Sequence, residues 1–233
     1  MSLTEAPANP VGAALPAWRP AARPRRRDLE GRWTVLEALE PAEHADGLYE
    51  AFAEDRDGRG WTYLPYGPFA GREAFEAWLD RDCTGDDPLF HAVRMKHGGR
   101  LGGLAAYQRV TPATGTLEIG HVVFAPRLRR SRVGSEALML MIGHAFELGY
   151  RRVEWKCDAL NAASRRAAER LGLSFEGVFR QATIVKGRNR DTAWHSVIDS
   201  DWPRLSRAYA AWLDPANFDA AGRQRRPLSA LFD

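Results

Sequence analysis

The residues best suited to chemistry cluster in Ala125-Pro126-Arg127-Leu128-Arg129-Arg130-Ser131-Arg132-Val133-Gly134-Ser135, where an alternating apolar segment gives way to a helical one. A helix N-terminus leaves backbone N–H groups without intrahelical partners and carries about half a positive charge, so it attracts anions. Gly134 and Ser135 are small enough for a phosphate to approach the backbone, four arginines add cations, and Ser131 adds a hydroxyl. Glu136 falls in the first helical turn, where a carboxylate suits the dipole. The same residues also describe a basic solvated loop leading into an ordinary capped helix. Alone, they leave both readings open.

The elements that must position this stretch follow from periodicity. Trp33 and Val35 alternate with polar neighbours in a short strand. Pro41 opens a helix through Phe52, and Glu73 to Asp82 forms another, with Phe75, Trp78 and Leu79 at helical spacing. Between them, residues 58–70 carry glycine, proline and the aromatics Trp61, Tyr63, Tyr66 and Phe69, and read as a loop. Leu89 to Lys96, Leu101 to Val110 and Thr116 to Phe124 are strands joined by tight turns, an antiparallel meander. Helices over Ser135–Leu148 and Asn161–Leu171 flank a strand at Arg152–Cys157. Strands at Ser174–Val185 and Thr192–Asp199 and an amphipathic helix at Pro203–Leu213 complete the order. A meander feeding a strand-helix-strand unit implies an α/β (α+β) mixed central sheet of about six to seven strands with helices on both faces.

The chain has 233 residues, 45% of them hydrophobic, enough for one sizeable core. Residues 1–28, rich in Ala, Pro and Arg, read as a flexible arm, 29–201 as the folded domain, and 202–233 as a helix with a basic tail. No apolar run is long enough to span a membrane and no secretory signal is legible, so a cytoplasmic location is expected. Two distant cysteines, Cys83 and Cys157, are neither a disulfide framework nor a zinc site, and no metal is expected. The net charge of +3 is a poor signature for nucleic-acid binding, which leaves ribosome or RNA contact to the terminal arginine clusters only as a minor reading.

At Arg129 to Gly134 the sequence resembles the acyl-coenzyme A signature of GNAT N-acetyltransferases, usually Gln/Arg-x-x-Gly-x-Gly/Ala, with Arg132 standing where the middle glycine is usual. Leu117-Glu118-Ile119-Gly120-His121-Val122 resembles the Glu-Ile-Gly-aromatic strand of the RimJ/RimL-like branch. Asn161-Ala162-Ala163-Ser164 resembles its Asn-x-x-Ser box, Leu171 to Gly177 its Leu-Gly-Phe-x-x-Glu-Gly turn, and Asn189-Arg190-Asp191-Thr192 the approach to its last strand.

The resemblance implies a GNAT fold and transfer of an acetyl group from acetyl-CoA to a primary amine, a protein N-terminus or a small molecule. The alternatives are another donor such as succinyl-CoA, or a non-catalytic module that binds acyl-CoA or a ribosome, in a monomer or homodimer. It also implies that the backbone of Val122, Val123 and Phe124 pairs with the pantetheine arm, in a gap where that strand splays from Arg152–Cys157. Arg129, Arg130, Ser131, Arg132, Val133, Gly134 and Ser135 would bind pyrophosphate, and Asn161 the pantetheine or thioester region. Glu118 is the candidate base, His121 a relay or a structural histidine, and Ser164 an acid toward sulfur or a cap for the helical turn it heads. Trp61, Tyr63, Tyr66, Trp155 and Trp194 are candidate acceptor-pocket walls, or else core or interface aromatics.

Overall fold

A computed structural model describes residues 9–232. In chain order the strands and helices are β1 (Leu29–Glu30), β2 (Thr34–Ala38), α1 (Pro41–Ala53), α2 (Arg72–Asp82), β3 (Leu89–Met95), β4 (Leu101–Thr111), β5 (Thr116–Phe124), α3 (Arg132–Glu147), β6 (Arg152–Asp158), α4 (Ala162–Arg170), β7 (Ser174–Val185), β8 (Arg188–Ile198) and α5 (Trp202–Trp212). The strands form one sheet ordered β1-β2-β3-β4-β5-β6-β8-β7. It is antiparallel except for the parallel β5–β6 pair. This is the expected mixed sheet with eight strands rather than six or seven. The added one is the two-residue β1, too short to leave a periodic trace in the sequence.

Alternation along the central strands makes two cores. Phe90, Ala92, Leu104 and Ala106 face α1 and α2, together with Trp61, Phe75, Trp78 and Leu79. Leu89, Val93, Ala105 and Tyr107 face α3 and α5, together with Met141, Ile142, Tyr209 and Trp212. Helices therefore cover both faces.

Packing runs past both limits of the expected 29–201 domain. Ala21 and Ala22 donate backbone hydrogen bonds to the carbonyls of Pro112 and Leu148. The Arg26 guanidinium bonds the carbonyls of Leu39 and Thr84 at 2.6 Å each. At the other end Trp212, Phe218 and Leu228 are buried in the α3 core. Glu136, read from sequence as a dipole partner, does more. Buried, it accepts the backbone N–H groups of Arg32, Trp33 and Thr34 at 2.7, 2.7 and 2.9 Å, fixing the β1–β2 turn on α3. A Cβ on Gly31 would lie 2.6 Å from the Glu136 carboxyl carbon, which is why the turn carries glycine there.

Candidate acyl-transfer site

Strands β5 and β6 pair only at Thr116–Arg152, Leu117–Val153 and Glu118–Glu154, and then part. On β5 a bulge begins there. Leu104 and Ala106 of β4 oppose Val123 and Gly120, and His121 takes a left-handed φ of 51° to absorb the extra residue. The gap opens into a cavity of about 550 Å³. Its walls include Tyr63, Gln108, Arg109, Glu118, His121, Val122, Trp155, Lys156, Asn161, Ser164, Phe179, Arg190, Thr192 and Trp194.

Glu118 is 3% exposed. Its Oε2 is 3.1 Å from Lys156 Nζ and 3.4 Å from Arg109 Nε. Burial raises its carboxyl above the ordinary carboxylate value, against the pull of Lys156 and Arg109. Lys156 is buried as well, 2.7 Å from Glu154 and 3.8 Å above the Trp194 ring. Gln108 lies opposite Glu118 in the β4–β5 register and donates Nε2–H to Glu118 Oε1 at 2.8 Å. That fixes the rest of the chain of contacts. Gln108 Oε1 accepts from His121 Nε2–H at 3.0 Å, so His121 Nδ1 is unprotonated and accepts the Tyr66 hydroxyl at 2.8 Å. Burial, with Arg109 nearby, lowers the His121 pKa to about 4, so the ring is neutral at pH 7. A neutral amide stands between His121 and Glu118 and passes no proton. These contacts are those of the structural alternative, His121 holding the Gln108 amide in place. Gly120 is part of the same arrangement, because a Cβ there would fall 2.0 Å from Gln108 Nε2.

Asn161 caps α4, its Oδ1 accepting Ser164 N–H at 3.1 Å. Ser164 Oγ accepts the Trp155 indole N–H at 2.9 Å and lines the cavity beside Cys157, toward whose sulfur its own O–H can donate.

The basic stretch lies outside the cavity lining. Leu128 is fully buried, Arg130 is left-handed at φ 56°, and Ser131 caps α3 by accepting Gly134 N–H at 3.0 Å. Among the described residues, the backbone amides of Arg130, Ser131, Arg132 and Val133 meet no protein acceptor. Free N–H groups at a helix N-terminus attract an anion, and a phosphate group has the acceptors to meet them. The side chains behave differently from the amides. Arg129 bonds the Phe124 carbonyl and pairs with Asp55 at 2.9 Å, and Arg127 pairs with Glu54. Arg132, at the usual glycine position, turns away to lie 4.9 Å over Trp33 and 5.3 Å over Phe218. Ser135 bonds the Ser131 carbonyl and accepts from Arg170. A Cβ on Gly134 would meet the Leu128 carbonyl oxygen at 2.8 Å, so this glycine serves packing.

The gap thus brings together Glu118, Val122, Tyr63, Trp155, Trp194, Asn161 and Ser164. Val123 and Phe124 remain paired with β4, outside the lining. Two expected walls do not hold. Trp61, 4% exposed, is packed edge-on against Phe52, Phe69 and Trp78, and Tyr66 lies 4.4 Å from Trp78. Lys156, Gln108 and Arg190 were not singled out as site residues from sequence. The strand expected at Thr192–Asp199 starts at Arg188 instead, and that extension is what puts Arg190 on one face with Thr192 and Trp194.

Residues 34–174 match the model of the acetyltransferase (GNAT) domain, and the chain belongs to that family, the acyl-CoA-dependent N-acyltransferases. A GCN5-related N-acetyltransferase from Brucella melitensis is 47% identical, with a TM-score of 0.92 over 94% of this chain and all of that one. A GNAT-family protein from Chromobacterium violaceum ATCC 12472 is 41% identical, with a TM-score of 0.78 over 85% of this chain and all of that one. The uncharacterized N-acetyltransferase YnaD of Bacillus subtilis (strain 168) is 24% identical over 148 residues, 63% of this chain and 84% of its own length. No helix among the described residues is long and apolar enough to cross a membrane.

Proposed function

We propose that this enzyme transfers an acetyl group from acetyl-CoA to a primary amine held in the cavity beside Glu118. The observation that carries the reading is the parting of β5 and β6 directly after Glu118–Glu154, which opens a cavity walled by the buried Glu118 carboxyl and the Ser164 hydroxyl. The fold is shared with the microcin C7 self-immunity acetyltransferase MccE, solved with acetyl-CoA and AMP, at 18% identity. Acetyl-CoA supplies an activated acetyl thioester. The chain's residues do the rest. The amides of Arg130 to Val133 bind the pyrophosphate, and Val122 and Asn161 hold the pantetheine arm. Glu118, as carboxylate, takes a proton from the bound ammonium, directly or through one water, and the neutral amine then attacks the thioester carbonyl. As the C–S bond breaks, Ser164 Oγ–H gives a proton to the departing sulfur and is restored by the second proton that the nitrogen loses on becoming an amide.

The test is thiol release from acetyl-CoA with a panel of primary amines, peptides included. No thiol release above hydrolysis with any amine would overturn the reading. For Glu118→Gln, kcat/KM is expected to fall by about 10² or more. Only the carboxylate accepts a proton, so wild-type kcat/KM rises with pH through the raised Glu118 value, and the variant loses that limb. An unchanged rate and pH profile would remove Glu118 as base.

A further inference from the structure

Three side chains on one face of β8, Arg190, Thr192 and Trp194, line the cavity. All three are hydrogen-bond donors. Among the described residues, none of them donates a side-chain hydrogen bond, and Arg190 makes no ion pair. Arg190 Nε and Trp194 Nε1 are shut off from solvent without any partner. A buried donor without an acceptor costs free energy; in Arg190 that holds for Nε, while the rest of the half-buried guanidinium, also without a protein partner among the described residues, stays accessible to a ligand. The other cations of the cavity are already met, Lys156 by Glu118 and Glu154, Arg109 by Glu118. Arg190 is the cavity cation without an ion pair among the described residues, although the Asp158 carboxylate lines the same cavity. The CoA phosphates do not answer for it, because the free amides of Arg130 to Val133 lie outside this cavity.

The distances define the ligand. Trp194 pairs with Lys156 across β6–β8, and Lys156 Nζ is 3.1 Å from Glu118. Trp194 therefore marks the amine end. Arg190 lies four residues away along an extended strand, roughly 13 Å by the ordinary rise of about 3.3 Å per residue.

We infer that the acceptor is an amine whose own molecule carries an anionic group on the order of 10 Å from the nitrogen, read by Arg190. Thr192, between the two ends, donates to a carbonyl or hydroxyl of the linking segment. This rests on the amine-acetylation reading and narrows its substrate class. A peptide with an acidic side chain three or four residues from its free N-terminus meets the description, and so does a long ω-amino acid.

The test is a set of matched acceptors assayed by thiol release with wild type, Arg190→Gln and Arg190→Ala. A peptide with Asp at the third or fourth position is compared with its Asn counterpart, and a long ω-amino acid with its carboxamide. In wild type, kcat/KM for at least one anionic acceptor is expected to exceed that of its neutral partner by roughly tenfold or more. Which pair shows it identifies the source. In both variants the preference collapses toward unity through acceptor KM, while KM for acetyl-CoA stays unchanged. Equal use of neutral and charged acceptors by wild type overturns the inference and leaves amine acetylation standing. So does a preference that survives in both variants. No turnover with any amine overturns the underlying reading as well.

Discussion

At the scale of single residues, the site depends on what holds Glu118 as much as on Glu118 itself. The run Tyr66, His121, Gln108, Glu118 is a series of donors and acceptors with one consistent direction, ending on the carboxylate. Gly120 leaves room for the Gln108 amide to reach it. Gly120→Ala is therefore expected to push aside a flexible side chain at little cost in stability while releasing Glu118. The melting temperature should stay within a few degrees of wild type and kcat/KM should fall by on the order of tenfold, the loss of one hydrogen bond to a charged group. A variant with full activity would show that Gln108 does not position Glu118. Glu118, Asn161 and Ser164 were legible because the motif strings that carry them also fix their elements. Relay and structural histidine could not be separated for His121 from sequence, because its contacts are set by a bulge and an amide that only the β4–β5 register brings opposite.

At the scale of elements, α3 is held at its N-terminus by three devices. Ser131 caps it, Glu136 binds the β1–β2 turn, and Arg132 stacks over Trp33 and Phe218. The arginine at the usual glycine position is thus a packing group whose backbone N–H remains free. Arg132→Gly is expected to lose about 1–2 kcal/mol of stability, read as a lower melting temperature, with KM for acetyl-CoA changed less than about threefold because the amides stay in place. A large KM increase with unchanged stability would instead assign the Arg132 side chain to the anion. Strand and helix order was readable from period, and so was the anion loop. What sequence withheld lies in long-range pairing. Lys156 meets Glu118 because β5 pairs with β6, and Arg190 comes to the cavity because β6 pairs with β8, each across more than thirty residues. Aromatic richness in residues 58–70 equally could not separate Tyr63, which lines the cavity, from Trp61 and Tyr66, which fill the core beside it.

At the scale of the molecule, eight strands divide into two groups at the β5–β6 seam, with β1 to β5 on one side and β6, β8 and β7 on the other. The α1–α2 core belongs to the first group and the long β7–β8 ladder to the second, while the α3–α5 core runs under both, joining Tyr107 and Ile119 to Val153 and Val197. The chain termini close on the first group and on α5, so the seam is left as the place where the sheet admits a ligand. Segments on both sides of the seam supply the chemistry, Glu118 and the free amides from β5 and α3, and Ser164, Lys156 and Arg190 from beyond it. A crystal structure of the protein with acetyl-CoA is the most direct test. The account predicts the pyrophosphate on the amides of Arg130 to Val133, the pantetheine arm between β5 and β6 beside Val122, and the thioester in the cavity within reach of Glu118 and Ser164. A thioester bound away from that seam, or phosphates held elsewhere than on those amides, would contradict it.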